Sequence, residues 1–288
     1  MNRRKVNILD LQRKKEQATP ITMLTAYDFS GASFVDTAEI DVILVGDSLG
    51  MVMLGLNSTT PVTMAEMLHH CRAVARGAQH AFLVGDMPFM SYQADPAEAV
   101  RNAGRFLKEG GMDGVKLEGG REVAATVAAI VNAGVPVMGH VGLTPQSQSK
   151  LGGYRVQGKT AVSAYALLQD ALALEAAGCF AVVLEAVPAA VATAVSQRLT
   201  VPTIGIGAGA GCDGQVLVYH DLLGLFERMQ PRFVKQYAAL RQTIIDALAA
   251  YRADVQARRF PAAEHTYPMP AEEEAAFLAM LAEADKPF

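Results

Sequence analysis

Eight short apolar runs, separated mostly by stretches with helical periodicity, constrain the fold of this 288-residue chain more than any other feature. Continuous apolar runs of this length are typical of parallel strands that are buried on both faces. Eight parallel strands are also the number that a closed α/β barrel requires. The predicted strands cover residues 21–25, 42–45, 81–84, 114–117, 135–139, 180–184, 203–206 and 215–219.

The intervals between the runs predict how the strands are connected. Most of them are long enough for a helix that returns the chain to the start of the next strand. The interval between residues 206 and 215 is too short for that, so at most a single helical turn is expected there. The long, polar and glycine-rich segment 144–159 is typical of an active-site loop. A long helix near 233–258 is expected to close the barrel.

The length of the chain suits either one α/β barrel or two smaller domains, and the strand count favours one barrel. The predicted catalytic domain covers residues 1–264 and includes an N-terminal helix. Residues 265–288 are predicted to form a helical or flexible C-terminal tail, because an amphipathic stretch follows Pro268 and Pro270. This tail could pack on a neighbouring subunit or stay mobile.

Two helix starts carry the residue types of a capping box. Thr63 is followed three residues later by Glu66, and Asp95 precedes Pro96 and Glu98. A side-chain oxygen before the first turn and a carboxylate three positions on can satisfy the free N–H groups of a helix start. Helices are therefore predicted to begin at both places.

Charge and cysteine content exclude several classes of protein. The net charge is −4 and the Lys and Arg residues are scattered, so nucleic acid is not an expected partner. The three cysteines are widely spaced, which argues against disulfides and against a zinc site. The N-terminus lacks the apolar core of a secretory signal, and no run is long enough to span a membrane. A cytoplasmic protein is expected.

Three carboxylates stand where successive strand-like runs end: Asp47, Asp86 and Glu118. In a barrel of parallel strands the catalytic groups collect at these ends, so the three acids are expected to converge. Such a set of oxygen ligands suits Mg²⁺, which keeps open positions for water and substrate. Each acid by itself could instead cap a loop or a helix.

Lys116 and Glu118 are two residues apart in one strand, so both are expected to face the barrel interior. A buried lysine needs an anionic partner. Lys116 could bind a substrate carboxylate or enolate, form a Schiff base, or make a structural ion pair with Glu118 or Asp86. Glu118 disfavours the Schiff base, since it should keep Lys116 protonated.

Two further residues end strand-like runs on the other side of the predicted barrel. Glu185 has apolar neighbours, which should raise its pKa and so make its carboxylate a stronger base. It could also be a buried acid with a structural role. His140 could bond substrate or a metal-bound water. It is a secondary candidate, because a lone histidine in an apolar strand is often a core residue.

The motifs at these strand ends resemble the ketopantoate hydroxymethyltransferase family over about residues 22 to 265. They are specific in combination: TAYD at 25 to 28, VGDSLGM at 45 to 51, PVT at 61 to 63, DMPFM at 86 to 90, VKLEGG at 115 to 120, GHVGLTPQS at 139 to 147, GGYRVQG at 152 to 158, ALEAAG at 173 to 178, LEAVP at 184 to 188, IGIGAG at 204 to 209 and DGQVLV at 213 to 218. The tail after residue 265 and the segment 224–231 have no matching form.

This resemblance implies a single (β/α)₈ TIM barrel that transfers a one-carbon unit from 5,10-methylenetetrahydrofolate to 3-methyl-2-oxobutanoate, giving 2-dehydropantoate in pantothenate biosynthesis. It implies one Mg²⁺ per subunit and a cytoplasmic homo-oligomer, a decamer. It also implies roles for the candidate residues: Asp47, Asp86 and Glu118 around the metal, Asp47, Ser48, Asp86 and Lys116 on the keto acid, and Glu185 as proton acceptor.

Two other functions are compatible with the pattern. One is a Mg²⁺-dependent carbon–carbon lyase of the phosphoenolpyruvate mutase and isocitrate lyase type, although such enzymes usually have a reactive cysteine in a flexible loop and the segment 144–159 has none. The other is a non-catalytic binding protein in which the acids are only caps and ion pairs.

Overall fold

The computed structural model describes residues 3–227 and 231–284 and contains a closed barrel of eight parallel strands. Each strand pairs with the next along the chain, and the last pairs with the first. The predicted (β/α)₈ barrel is therefore confirmed. The strands are β1 (Ile21–Thr25), β2 (Val42–Val45), β3 (Phe82–Asp86), β4 (Gly114–Glu118), β5 (Val137–Gly142), β6 (Ala181–Glu185), β7 (Thr203–Ile206) and β8 (Gly214–Leu217).

Twelve α-helices occur in the described part of the chain, several of them single turns. They are α1 (Ile8–Glu16), α2 (Phe29–Thr37), α3 (Leu49–Val52), α4 (Met64–Gly77), α5 (Pro96–Lys108), α6 (Ala124–Asn132), α7 (Gln148–Leu151), α8 (Ala161–Ala176), α9 (Ala189–Arg198), α10 (Tyr219–Leu222), α11 (Leu240–Gln256) and α12 (Ala271–Ala284). Short 3₁₀ helices cover Arg121–Val123, Pro145–Ser147 and Ala263–His265. No helix occurs between β7 and β8, as residues 207–213 form turns, bends and irregular chain, which agrees with an interval too short for more than a single helical turn.

Both predicted helix starts are confirmed. Thr63 precedes α4 and accepts from the N–H of Glu66, while the Glu66 carboxylate accepts from the Thr63 N–H at 2.7 Å. Asp95 precedes α5 and accepts from the backbone N–H groups of Ala97 and Glu98. These bonds satisfy N–H groups that have no partner within the helix.

Four strands run further than the apolar pattern indicates: β5 continues to Gly142, and Asp86, Glu118 and Glu185 are the last residues of β3, β4 and β6. Each acid still pairs in register with the neighbouring strand, as Glu118 does with His140. A boundary judged by hydrophobicity stops at the first charged residue, whereas the backbone ladder continues. The rigid sheet therefore fixes the backbone of all three acids.

The barrel interior is filled from its N-terminal end by apolar side chains of seven strands, all but β4, and by Leu11 of α1. Two lysines of α1 anchor this helix beneath the strands. Lys14 lies 2.7 Å from Asp41, and Lys15 lies 2.7 Å from Asp213. The expected N-terminal helix is thus present, and it closes the end of the barrel opposite the predicted catalytic groups.

The chain forms two compact units, one through Ala238 and a second from Ala239. The second unit contains α11 and α12. The helix expected near 233–258 is α11, which begins at Leu240. The predicted boundary at residue 265 and the role of the tail stay predictions. Within residues 3–227 and 231–284, no helix has the length and hydropathy needed to cross a bilayer.

Gly85, in the strand that ends with Asp86, is a position where the packing of α5 against β3 can be tested. A Cβ atom at Gly85 would lie 2.3 Å from Cδ1 of Phe106 in α5. We therefore expect Gly85→Ala to lower the free energy of unfolding by about 1–3 kcal/mol, since overpacking forces neighbours to move. Urea unfolding at matched protein concentration measures this change in the free energy of unfolding. Gly104→Ala, in the same helix with no atom within 4 Å, should instead stabilise by about 0.5–1 kcal/mol. An equal effect of both changes would contradict this account.

Candidate functional site

A cavity of about 410 Å³ opens at the C-terminal ends of the strands. Its walls include every residue that the sequence singled out: Asp47, Ser48, Asp86, Lys116, Glu118, His140 and Glu185. Most of these side chains are buried, including both aspartates, the lysine and the histidine. The barrel thus brings all seven candidates to one place, although they are far apart in the sequence.

Lys116 and Asp86 form a buried ion pair across β3 and β4. The Lys116 Nζ lies 2.7 Å from Asp86 Oδ1, a contact that is an ion pair without hydrogen-bond geometry. The other carboxylate oxygen of Asp86 accepts from the backbone N–H of Asp47 at 3.3 Å. On the opposite face of β4, Val115 and Leu117 pack against the helices, as expected.

The charges in this part of the cavity do not balance. Burial raises the pKa of Asp47 well above its usual range, and the neighbouring carboxylates of Asp86 and Glu118 raise it further. Burial also raises the pKa of Asp86, although Lys116 opposes that rise. Burial lowers the pKa of Lys116, but three carboxylates outweigh it and the net shift is upward. One ammonium group therefore faces several acids, and Lys116 is protonated, which argues against a Schiff base.

His140 links Glu118 to Glu185. Its Nδ1 lies 3.5 Å from Glu118 Oε1 and its Nε2 lies 3.3 Å from Glu185 Oε2. Burial and the nearby Lys116 lower the pKa of His140, but the two carboxylates outweigh them and raise it to about 9. The secondary candidate of the sequence is therefore at the centre of the acid cluster.

Glu185 is held at a sharp change of chain direction. Ala186, the next residue, has φ +47°, a conformation that costs about 1 kcal/mol or more in a non-glycine residue. Gly142, at the end of β5, has φ +99°, and a Cβ there would lie 2.3 Å from the Glu185 carbonyl oxygen. The Glu185 side chain stays 16% exposed, more than the other acids of the cluster. Among the acids of this cluster it is the most accessible to a ligand.

Gln146 is the residue that sequence reasoning missed. Its side-chain amide donates to Asp47 Oδ2 and to the carbonyl of Met87, both at 2.9 Å, and its backbone N–H donates to Glu118 Oε2 at 3.0 Å. Its Oε1 accepts from the Tyr92 hydroxyl at 2.8 Å. The loop after β5 therefore holds two acids of different strands with neutral donors. The only signal in the sequence was its place in GHVGLTPQS.

Ser48 is held by a second tyrosine. The Ser48 and Tyr27 hydroxyl groups lie 2.9 Å apart, with Tyr27 buried beside β1. Ser48 can therefore present either a donor or an acceptor to a ligand above Asp47.

The oxygen atoms around Asp47 and Asp86 have the chemistry of a hard-cation site. Asp86 Oδ1 is buried and receives no hydrogen bond from the described residues. Glu118 differs, because both of its oxygens face donors on Gln146 and His140. Within the described ranges, no three His, Cys, Asp or Glu side chains by themselves form a metal cage. The residues present suit an ion that takes few protein ligands.

Comparison with known proteins decides between the alternatives. The family model for ketopantoate hydroxymethyltransferase matches residues 5–263. The chain belongs to the ketopantoate hydroxymethyltransferase family. A 3-methyl-2-oxobutanoate hydroxymethyltransferase of Carboxydothermus hydrogenoformans is 56% identical over 92% of this chain and 96% of its own length. An enzyme of the same name from Moorella thermoacetica is 57% identical over 92% of this chain and 98% of its own length.

Among solved structures, a phosphoenolpyruvate phosphomutase from Streptomyces platensis subsp. rosaceus is similar, with a TM-score of 0.60 and 16% identity over 98% of this chain and 99% of that one. At that identity the likeness shows a shared fold and does not favour the lyase alternative. Membership of the hydroxymethyltransferase family confirms the predicted enzyme and argues against a non-catalytic binding protein.

Replacing Gln146 tests its role as a bridge. Gln146→Leu leaves Asp47 Oδ2 and the Met87 carbonyl without their donor, so we expect the free energy of unfolding to fall by roughly 2–4 kcal/mol in urea. Gln93→Leu is the matched control, because Gln93 is exposed and its hydrogen bonds are long: it donates to Gln146 Oε1 at 3.3 Å and accepts from the Tyr92 N–H at 3.4 Å. Its effect should stay within about 0.5 kcal/mol. Similar losses in the two variants would refute the bridging role.

Proposed function

We propose that this chain transfers the one-carbon unit of 5,10-methylenetetrahydrofolate to 3-methyl-2-oxobutanoate, giving 2-dehydropantoate and tetrahydrofolate for pantothenate biosynthesis. The names of its relatives support this substrate. The observation that carries the proposal is the cavity itself, in which Glu185 faces the buried cluster of Asp47, Asp86 and Lys116. It combines a base with groups that bind an α-keto acid.

Asp47 and Asp86 would bind one Mg²⁺, and Glu118 would contact it through water. Two buried carboxylates, whose negative charge the single Lys116 ammonium offsets only in part, support this assignment. Mg²⁺ commonly uses one or two protein carboxylates and completes its shell with water and substrate. When bound there, the ion would supply a Lewis acid that stabilises negative charge on the keto oxygen.

Lys116 and Ser48 would orient the keto acid. Lys116 is a protonated ammonium that Asp86 holds in place, so it can pair with the substrate carboxylate or the enolate oxygen. The Ser48 hydroxyl, which Tyr27 positions, can donate to a second oxygen. Orientation by these two groups would leave C3 of the substrate facing Glu185.

Glu185 would act as the base. Its carboxylate takes the proton from C3, and the electron pair of that C–H bond forms the enolate. C3 then bonds to the methylene carbon of the folate. That carbon is bonded to two nitrogens of the folate, and both carbon–nitrogen bonds break with their electrons going to nitrogen, while C3 and a water oxygen take their places on the carbon. The proton from C3 and one proton from the water end on the two nitrogens of tetrahydrofolate. His140, 3.3 Å from Glu185, would hold the carboxylate in place during the transfer.

We also infer that the protein forms a homo-oligomer, a decamer by the family pattern. We infer a cytoplasmic location as well, which suits a biosynthetic enzyme that uses reduced folate. Analytical ultracentrifugation tests the subunit number.

The direct test is formation of 2-dehydropantoate from the keto acid and methylenetetrahydrofolate, with EDTA as control. Exchange of the C3 hydrogen for deuterium, without folate, follows the first half of the reaction alone. Product that appears only with free divalent metal supports the proposal. Exchange without any product would instead indicate a different one-carbon donor.

Glu185→Gln should leave binding of the keto acid with Mg²⁺ largely intact, since the amide has the same shape. Deuterium exchange at C3 should fall about 10²- to 10⁴-fold, the usual contribution of a general base. Nuclear magnetic resonance of the keto acid in D₂O measures the exchange. Glu122→Gln, an exposed change outside the cavity, is the control and should exchange at the wild-type rate. Normal exchange in Glu185→Gln would remove this residue from the role.

Asp86→Asn should weaken binding of Mg²⁺ and of the keto acid together, each by about tenfold or more, because each completes the site of the other. Titration calorimetry with the metal alone, and then with the keto acid at saturating metal, separates the two affinities. Asp95→Asn changes the same charge on the outside of the barrel and should alter neither. Loss of only one affinity would contradict the shared site.

A further inference from the structure

Part of the cavity has no role in the proposed handling of the keto acid. The groups assigned to that substrate come from β2 to β6. The wall formed by β7, β8 and the chain after β8 also lines the cavity, and it contributes one acid, Asp221 of α10. A cavity of 410 Å³ is in the range that accommodates a drug-sized ligand, larger than a small keto acid requires.

Asp221 is a half-buried carboxylate without a partner in the described part of the chain. No hydrogen bond or ion pair from residues 3–227 or 231–284 reaches its oxygens, and burial is the sole cause that raises its pKa, to about 6. It is near Tyr27: burial raises the pKa of the Tyr27 hydroxyl, and the carboxylates of Asp221 and Asp47 raise it further. Asp221 thus flanks the cluster on the side where the proposed mechanism uses no residue.

A carboxylate such as Asp221 binds a ligand that presents two parallel N–H donors. Two carboxylate oxygens accept best from a planar fork of two N–H groups, as in bidentate guanidinium pairs. The pterin ring of a reduced folate has this fork, formed by its ring N3–H and its 2-amino group. Burying Asp221 without such donors would be costly, so the ligand would supply what the protein does not.

The rim of the same cavity carries opposite charge. Arg155, from the loop after β5, and Arg232, after β8, both line it and are exposed. Neither guanidinium has an acceptor among the described residues. Tyr154 and Phe233 stand beside them, each partly exposed and also lining the cavity. An elongated ligand with a donor-rich head, an aromatic middle and an anionic end would find a partner for each of its parts among these lining residues.

We propose that the part of the cavity beside β7, β8 and β1 binds the pterin of the reduced folate, whose N3–H and amino group donate to Asp221, and that the glutamyl carboxylates face Arg155 and Arg232 at the rim. This assignment rests on the proposed function and names the residues that select its second substrate. It places the methylene carbon between Asp221 and the keto acid. It also requires no residue of the metal and base cluster to contact the folate.

Equilibrium binding of two probes tests both ends of the site. Tetrahydrofolate has the glutamyl tail, and 6-methyltetrahydropterin lacks it. Asp221→Asn replaces one acceptor oxygen by a donor, so the dissociation constants of both probes should rise about tenfold to a hundredfold. Arg155→Gln/Arg232→Gln should raise the constant for tetrahydrofolate alone, by about three- to thirtyfold. Asp221→Glu, which restores the carboxylate, should recover part of the lost affinity.

Deuterium exchange at C3 in the absence of folate is the internal control. It should stay at the wild-type rate in all these variants, which also shows that each one folds. Arg101→Gln/Arg105→Gln makes the same charge change on α5, away from the cavity, and should alter no constant. Binding of both probes within twofold of wild type in Asp221→Asn would overturn the assignment. If instead the wild-type protein neither exchanges C3 nor forms product, the proposed function fails, and the assignment with it.

Discussion

The ion pair between Lys116 and Asp86 is the interaction on which the rest of the cavity depends. Two buried charges 2.7 Å apart on adjacent strands hold each other ionised in a place where neither would be charged alone. The fixed ammonium offsets part of the charge of Asp47 and Glu118, which could not otherwise be buried beside Asp86. The remaining negative charge is what a divalent cation would neutralise.

Neutral hydrogen-bond donors from loops orient the carboxylates whose charge this ion pair partly offsets. Gln146 contacts Asp47 through its side chain and Glu118 through its backbone, and Tyr92 orients the Gln146 amide. Because these donors carry no charge, they orient the carboxylates without cancelling the charge that the metal needs. The segment after β5 therefore contributes to the site twice: Gln146 in its first turn holds the acids, and Arg155 further along lines the cavity.

The parts of the site that were predictable from the sequence are those fixed by the sheet. Asp86, Glu118 and Glu185 end apolar runs, and the alternation of side chains in β4 places Lys116 beside Glu118, so barrel geometry alone brings them together. Gln146 and Asp221 were not predicted. Each follows a strand by several residues, and the direction of a side chain in such a segment depends on packing that has no period in the sequence.

The difference between residues fixed by the sheet and residues on loops also explains why the two substrates would occupy different parts of the cavity. Strands β3, β4 and β6 end in charged residues with rigid backbones, which suits the reacting carbon, since small errors in its position are costly. The side of β7 and β8 ends in short turns and in chain without a strand ladder, and it contributes only Asp221 and the rim near Arg232. A larger substrate can be positioned over such a surface by contacts at its two ends, because together those contacts fix where its methylene carbon lies.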